Sequence, residues 1–244
     1  MRIHTDLTPT GSYHDVVVLV DVLRTCTVAP LLFERGLTEL ALTPSLRTAR
    51  AAAREGWLLL GERQGVPAEG FNYGNSPAEF AAIDVTGKRA VMVSENAPRW
   101  LPQVADARRV LLGSLYNAAA VAEVAARQAL ESIDLVGSGF EGEPDLDDAL
   151  AAGLLAAMLA ERLPTAARSG ATRFALSLLR AFPDPMEALW QSVSGHELRR
   201  VGLERDLAFS AQISASTLVP QLVGRQPGAG SAPLYLFAPA ARPS

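Results

Sequence analysis

The sequence predicts an α/β fold, a mostly parallel or mixed sheet flanked by helices, forming one compact unit over positions 1–244. Apolar strand-like runs alternate with helix-like segments through short polar turns, the order that builds βα units. The run VVVLVDV at 16–22 is apolar almost throughout, as a strand covered on both faces must be. Between such runs, helix start and stop residues fall where helices would begin and end.

In chain order, the 16–22 strand breaks at Leu23-Arg24-Thr25-Cys26-Thr27, and helical spacing follows through Ala29, Leu32 and Phe33 to a stop at Gly36. LTELALTP is a second strand. Ser45 caps the helix LRTARAAAREG, and WLLL at 57–60 is a third strand. It runs into GERQGVPAEGFNYGNSP at 61–77, with four Gly, two Pro and two Asn and no periodicity. Loops of this length in compact domains are usually functional. Ser76, Pro77 and Glu79 form a helix start with a capping box. RAVMVS at 89–94 is a strand followed by the polar turn Glu95-Asn96-Ala97-Pro98. RVLLG at 109–113 precedes Ser114-Leu115-Tyr116-Asn117, which opens the helix NAAAVAEVAARQAL. IDLVG at 133–137 ends in SGFEGEPDLDD, and a long helix covers 146–163. Beyond Pro164 the segments 169–182 and 185–195 are helical, 199–207 is polar with an alternating rhythm, and the Gly/Pro turn 226–233 precedes a final strand, LYLF.

Composition narrows the function. A net charge of −4 with a single lysine, Lys88, gives nucleic acid nothing to bind. No 18-residue apolar run is present to span a membrane, and MRIHTDLTP is not a signal peptide. One cysteine, Cys26, agrees with a reducing cytoplasm. His4, His14 and His196 lack metal-ligand spacing, there is no phosphate-binding GxxxxGK[ST] or GxGxxG loop, and Cys26 has Leu32 where a cysteine phosphatase loop needs arginine. Ala-rich helix faces would suit a homodimer.

Polar residues instead gather at four strand ends: Asp21 with Arg24; Glu62 and Arg63 through Asn75 and Ser76; Glu95 with Asn96; and Glu141 through Asp148. Ligands collect at the carboxyl ends of strands in open α/β sheets. A carboxylate such as Asp21 at the end of a buried strand costs several kcal/mol unless paired or ligated. Arg24 is the expected partner, or else a cation.

The turns DVLRTCT, GERQGVPAEGFNYGNSP, GSLYNAAAVA and SGFEGEPDLDDALAAG resemble, in order and spacing, those of the 2-phosphosulfolactate phosphatases, the magnesium-dependent phosphatase family of coenzyme M biosynthesis. SGHELRRVGLERDLAFSAQISASTLVP is similar to that family's C-terminal segment, so the resemblance covers nearly the whole chain. GER followed by GxxxGNSP is its most specific part. The chain departs from the family at Thr25-Cys26-Thr27, at Asn72 in place of an acid, and at Ser94-Glu95-Asn96-Ala97-Pro98 in place of TTNGT.

The resemblance implies a small phosphorylated and sulfonated acid as substrate and Mg²⁺ as cofactor. It implies Asp21 with Asp148 or Glu141 as metal ligands, Glu62 as a further ligand or base, and Arg24 and Arg63 as oxyanion-binding catalytic residues. Asn75, Ser76, Asn96, Ser114 and Asn117 would contact substrate. Cys26, at a helix start, is the alternative nucleophile. The altered 94–98 turn raises a second reading, a family member that binds small anions without turning them over.

Overall fold

The computed structural model describes residues 1–63, 66–229 and 232–241. Positions 64–65 of the long loop, 230–231 of the 226–233 turn, and 242–244 lie outside the described residues. Among the described residues, eleven strands form one mixed sheet: β1 (Arg2–Asp6), β2 (Val16–Val20), β3 (Glu39–Thr43), β4 (Leu58–Arg63), β5 (Val66–Pro67), β6 (Arg89–Val93), β7 (Arg109–Gly113), β8 (Ser132–Gly137), β9 (Ala167–Arg168), β10 (Pro220–Gln226) and β11 (Leu234–Pro239). Their order is β5-β4-β6-β3-β11-β10-β7-β2-β8-β1-β9. β4, β6 and β3 are parallel, as are β7, β2, β8, β1 and β9. The antiparallel hairpin β10–β11 joins these two blocks.

Helices cover both faces: α1 (Thr25–Glu34), α2 (Leu46–Ala53), α3 (Pro77–Phe80), α4 (Ala97–Val104), α5 (Ala118–Gln128), α6 (Leu146–Arg162), α7 (Gly170–Ala181), α8 (Pro185–Gln191), α9 (Val193–Arg200) and α10 (Glu204–Ser210). β2 shows why its sequence is apolar throughout. Val17 and Leu19 pack with Val28 and Leu31 of α1 and Leu101 of α4, whereas Val16, Val18 and Val20 pack with Val121 of α5 and Leu155 of α6. The period-2 alternation of a strand sends both sets into a core. None of the described helices is long and apolar enough to cross a membrane.

The strands expected from apolar runs are present, and Ser45 and Ser76 cap α2 and α3 by accepting from the Thr48 and Glu79 amides. Two expectations need correction. Residues 95–98 are not simply a turn: Ala97 begins α4, with Pro98 in its first turn, where a missing N–H costs nothing. Residues 199–207 do not alternate but close α9 and open α10 across a turn at Gly202. β1, β5, β9 and β10 had no sequence signal, and the stretch read as a loop from Gly61 holds the end of β4 and β5 paired antiparallel with it. β10 begins with proline, contains Gly224, and is half-exposed with a register shift at Leu222/Gly224. It is a strand because β11 pairs with it along its length.

At the amino end of β2, Asp15 fastens the sheet's lower edge. Its Oδ2 accepts the amides of Leu130, Glu131 and Ser132 at 2.7, 2.6 and 3.0 Å, and its Oδ1 accepts Nε and Nη2 of Arg108 at 2.9 and 2.6 Å. Burial alone would raise its pKa, but these donors outweigh burial and lower it to about 2. A depressed folded-state pKa means stability present above the ordinary value of 3.8 and lost as pH falls toward 2. Asp15→Ala is expected to cost about 2 to 3 kcal/mol at neutral pH, with the gap to the parent protein closing between about pH 4 and pH 2. Urea melts across that range test it, and a gap independent of pH would refute the ionic account.

Candidate active site

β2 and β8 end side by side, Val20 paired with Gly137, and the turns leaving them are clasped by two buried aspartates. Asp21 takes the Thr25 amide on Oδ1 (3.1 Å) and the Ala97 amide on Oδ2 (3.0 Å), so the first turns of α1 and α4 both spend an orphan N–H on it. Asp148, in the first turn of α6, takes the Val22 amide on Oδ1 (2.8 Å). Its Oδ2 takes the Ser138 amide and hydroxyl (both 3.1 Å) and the Gly139 amide (2.9 Å). Burial raises the pKa of both acids. That of Asp148 reaches about 8, with the Asp21 charge adding to the rise and the backbone donors opposing it. Gly139 has φ +61, and a Cβ there would lie 2.0 Å from the Glu143 carbonyl oxygen, so this clasp requires glycine.

Arg24 favours the Asp21 carboxylate through its charge, as the sequence suggested, but the hydrogen bond goes elsewhere. Its Nη1 donates to Asp206 Oδ2 on α10 at 2.7 Å, with Arg24 4% and Asp206 1% exposed. The other Asp206 oxygen accepts the Ser76 hydroxyl (2.5 Å) and the Ala78 amide (3.4 Å). One carboxylate thus holds together the start of α1, the end of the 61–77 loop and the C-terminal helices.

Above this network opens a cavity of about 440 Å³ lined by Leu23, Arg24, Glu62, Asn75, Ser94, Glu95, Asn96, Phe140, Glu141, Ser194, Glu197, Leu198 and Arg200. Glu62 is the penultimate residue of β4, beside Gly61, whose φ is +127 and where a Cβ would lie 2.0 Å from the Val93 carbonyl oxygen. Asn75 is 2% exposed, and its Oδ1 has no hydrogen-bond partner among the described residues. Asn96 precedes α4 without capping it through its side chain. Arg200 pairs with Glu197 at 2.7 Å. Asp145 seats this last wall: it caps α6 through the Leu146 amide and also accepts the Val193 and Ser194 amides at the start of α9 (2.9 and 2.8 Å). A second cavity shares Ser94, Glu95, Asn96, Phe140 and Glu141, and adds Pro44, Arg63 and Arg99.

Of the expected site residues, Arg24, Glu62, Asn75, Asn96 and Glu141 line the first cavity, and Arg63 lines the second. Ser76 stands behind the wall as a strut to Asp206 and the cap of α3. Ser114 and Asn117 line neither cavity. Asn117 accepts the Ser114 amide and donates to the carbonyls of Leu112 and Leu218, which ties β7 to the C-terminal segment. Asn72 is exposed, and its Oδ1 accepts the Leu59 amide at 2.7 Å, so it serves the edge of β4. Cys26 is fully buried, its thiol donating to the Leu19 carbonyl at 3.3 Å. Burial, with the Asp21 and Asp148 charges behind it, pushes that thiol well above its ordinary pKa, which rules against a thiolate nucleophile.

The carboxylates expected to share a metal stand apart in role. Asp21 and Asp148 already hold backbone donors and line neither cavity, while Glu141 is exposed at the rim common to both. Among the described residues no group of three or more His, Cys, Asp or Glu side chains is arranged to hold a metal ion. Carboxylate and amide side chains lining the first cavity come from Glu62, Asn75, Glu95, Asn96, Glu141 and Glu197, oxygen donors of the kind that suit a hard cation keeping several waters and bound through one or two carboxylates. Sequence reasoning missed Asp206, Ser194, Glu197 and Arg200. The signal for Asp206 was the buried arginine itself, which needs an acid.

Comparison with known proteins gives the family. The sequence model of 2-phosphosulpholactate phosphatase matches residues 3–225. The chain is 41% identical over 228 residues to a probable 2-phosphosulfolactate phosphatase of Thermus thermophilus, covering 92% of this chain and 96% of that protein. It is 42% identical over 226 residues to one of Deinococcus radiodurans, covering 91% and 94%, and 36% identical to one of a Synechococcus strain, covering 88% and 90%. A match over nearly all the chain, extending through the helix that carries Asp206, places this protein in the 2-phosphosulfolactate phosphatase family.

Proposed function

We propose that this chain is a phosphatase that hydrolyses 2-phosphosulfolactate, or a related phosphorylated 2-hydroxy acid, to the 2-hydroxy acid and inorganic phosphate. The observation that carries the reading is the Arg24 guanidinium, buried and fixed by Asp206 at 2.7 Å in the floor of a cavity that also holds Glu62 and Asn75. A guanidinium held in place before substrate arrives binds phosphoryl oxygens through its planar fork without reorganising during reaction.

In this reading Glu62 accepts a proton from the attacking water as the bond from water oxygen to phosphorus forms. The bond from phosphorus to the ester oxygen breaks, and that oxygen takes up a proton to become the hydroxyl of the product. Asn75 and Asn96 orient water and substrate from the cavity wall. Mg²⁺ is part of the proposal: Asn75 Oδ1 and Glu141 would hold it, and when bound it offsets charge on the phosphoryl oxygens. Leu23, Phe140 and Leu198 give the cavity apolar surface that limits bulk water.

Purified protein is expected to release phosphate from 2-phosphosulfolactate with Mg²⁺ and to stop on chelation. Release unaffected by chelator would remove the metal from the proposal. Thermal stabilisation by sulfolactate with no phosphate released would favour the anion-binding alternative raised by the 94–98 turn. Arg24→Met is expected to lower kcat about 10²- to 10³-fold. Asp206→Ala should destabilise the fold by about 3 to 5 kcal/mol, because it strands a buried guanidinium. The pair Arg24→Met with Asp206→Leu should recover much of that stability and none of the activity. A double variant that turns over normally would exclude Arg24 from catalysis.

A further inference from the structure

The cavity above Arg24 shares a wall with a second one of about 350 Å³, and the arginines of the second are Arg63 and Arg99. Arg63 is largely committed. Its Nη1 and Nη2 donate to the carbonyls of Glu62 and Pro44 at 3.3 and 2.7 Å, and the Glu95 carboxylate lies 4.0 Å from its Nε. The Arg99 side chain has neither a hydrogen bond nor an ion pair among the described residues. It lies 5.2 Å over the ring of Trp100, and that ring is pinned where its Nε1 donates to the Ser138 carbonyl at 2.8 Å. Stacking on the ring uses none of the five N–H donors of this exposed guanidinium, so Arg99 offers an undivided fork to whatever enters.

Resting on the phosphatase reading, the chemistry of the substrate says what that is. In 2-phosphosulfolactate the phosphate ester and the carboxylate are attached to the same carbon, so phosphate bound at Arg24 keeps the carboxylate in the first cavity. The sulfonate is one methylene further out, which makes it the anion with the longest reach from that carbon toward the second cavity. It is a weakly basic, three-oxygen anion that competes poorly for a cation and suits a delocalised, weakly hydrated guanidinium. We propose that the second cavity is the sulfonate subsite, with Arg99 as the residue that sets specificity for sulfonated substrates and Arg63 supporting it.

The test compares kcat/KM for 2-phosphosulfolactate and for 2-phospholactate, which lacks only the sulfonate, in the parent protein and in Arg99→Met and Arg99→Lys. The parent is expected to favour the sulfonated ester by about tenfold to a hundredfold. That ratio should fall close to one in Arg99→Met, mainly through KM, and recover in part in Arg99→Lys. A ratio unchanged in Arg99→Met overturns the proposal. Calorimetry with sulfolactate and lactate gives a second arm that needs no turnover, in which Arg99→Met should weaken sulfolactate binding about tenfold or more. If the parent releases phosphate from neither ester, the phosphatase reading fails and the calorimetry still decides the subsite. Sulfolactate bound equally by parent and Arg99→Met, or by neither, refutes it.

Discussion

A guanidinium that is 4% exposed can stay in a protein interior only if an acid meets it there, and the hydrogen bond between Arg24 and Asp206 meets that condition. The same aspartate takes the Ser76 hydroxyl. Its two oxygens therefore draw α10 onto the start of α1 and onto the end of the 61–77 loop. The cavity walls follow from that closure: α9, just before α10, supplies Ser194, Glu197, Leu198 and Arg200, and the loop supplies Glu62 and Asn75. Without an acid at position 206 the floor of the site would be an uncompensated charge and the C-terminal helices would lose their anchor.

The other buried acids around the site solve their desolvation problem differently. Asp21, Asp145 and Asp148 each accept backbone amides at strand exits and helix starts. The amides taken by Asp21 and Asp145 would otherwise be unsatisfied donors of α1, α4, α6 and α9. One set of interactions thus satisfies the helix ends, holds the carboxylates, and fixes the turns after β2 and β8. That role explains why Asp21 and Asp148, conspicuous as charges in the sequence, sit beneath the site instead of lining it.

The sheet places these groups through an unusual join. Three antiparallel pairings, β3 with β11, β11 with β10 and β10 with β7, separate the two parallel blocks, so the blocks run in opposite directions along the sheet with the C-terminal hairpin β10–β11 between them. Glu62 and Ser94 come from the β4 and β6 block, while Arg24 and Phe140 follow β2 and β8. The hairpin between the blocks is part of what sets the distance across the cavity.

Much of this was legible in the residues. The alternation of apolar runs and caps gave β2 to β4, β6 to β8, β11 and the long helices, since periodicity, Ser caps and glycine stops act over one or two turns of chain. The same local signals located the strand-end turns, and so the region of the site, with Arg24, Glu62, Arg63, Asn75, Asn96 and Glu141 among its lining residues. β1, β9 and β10 were not legible because their strand character comes from partners distant in sequence and not from their own pattern. Sequence by itself determined the elements and the neighbourhood of the site, because those depend on short-range backbone and burial preferences. Only the tertiary structure decided which polar groups face the cavity and which brace it. The partner of Arg24 lies 182 residues along the chain, and a buried charge is settled by whatever the fold brings to it.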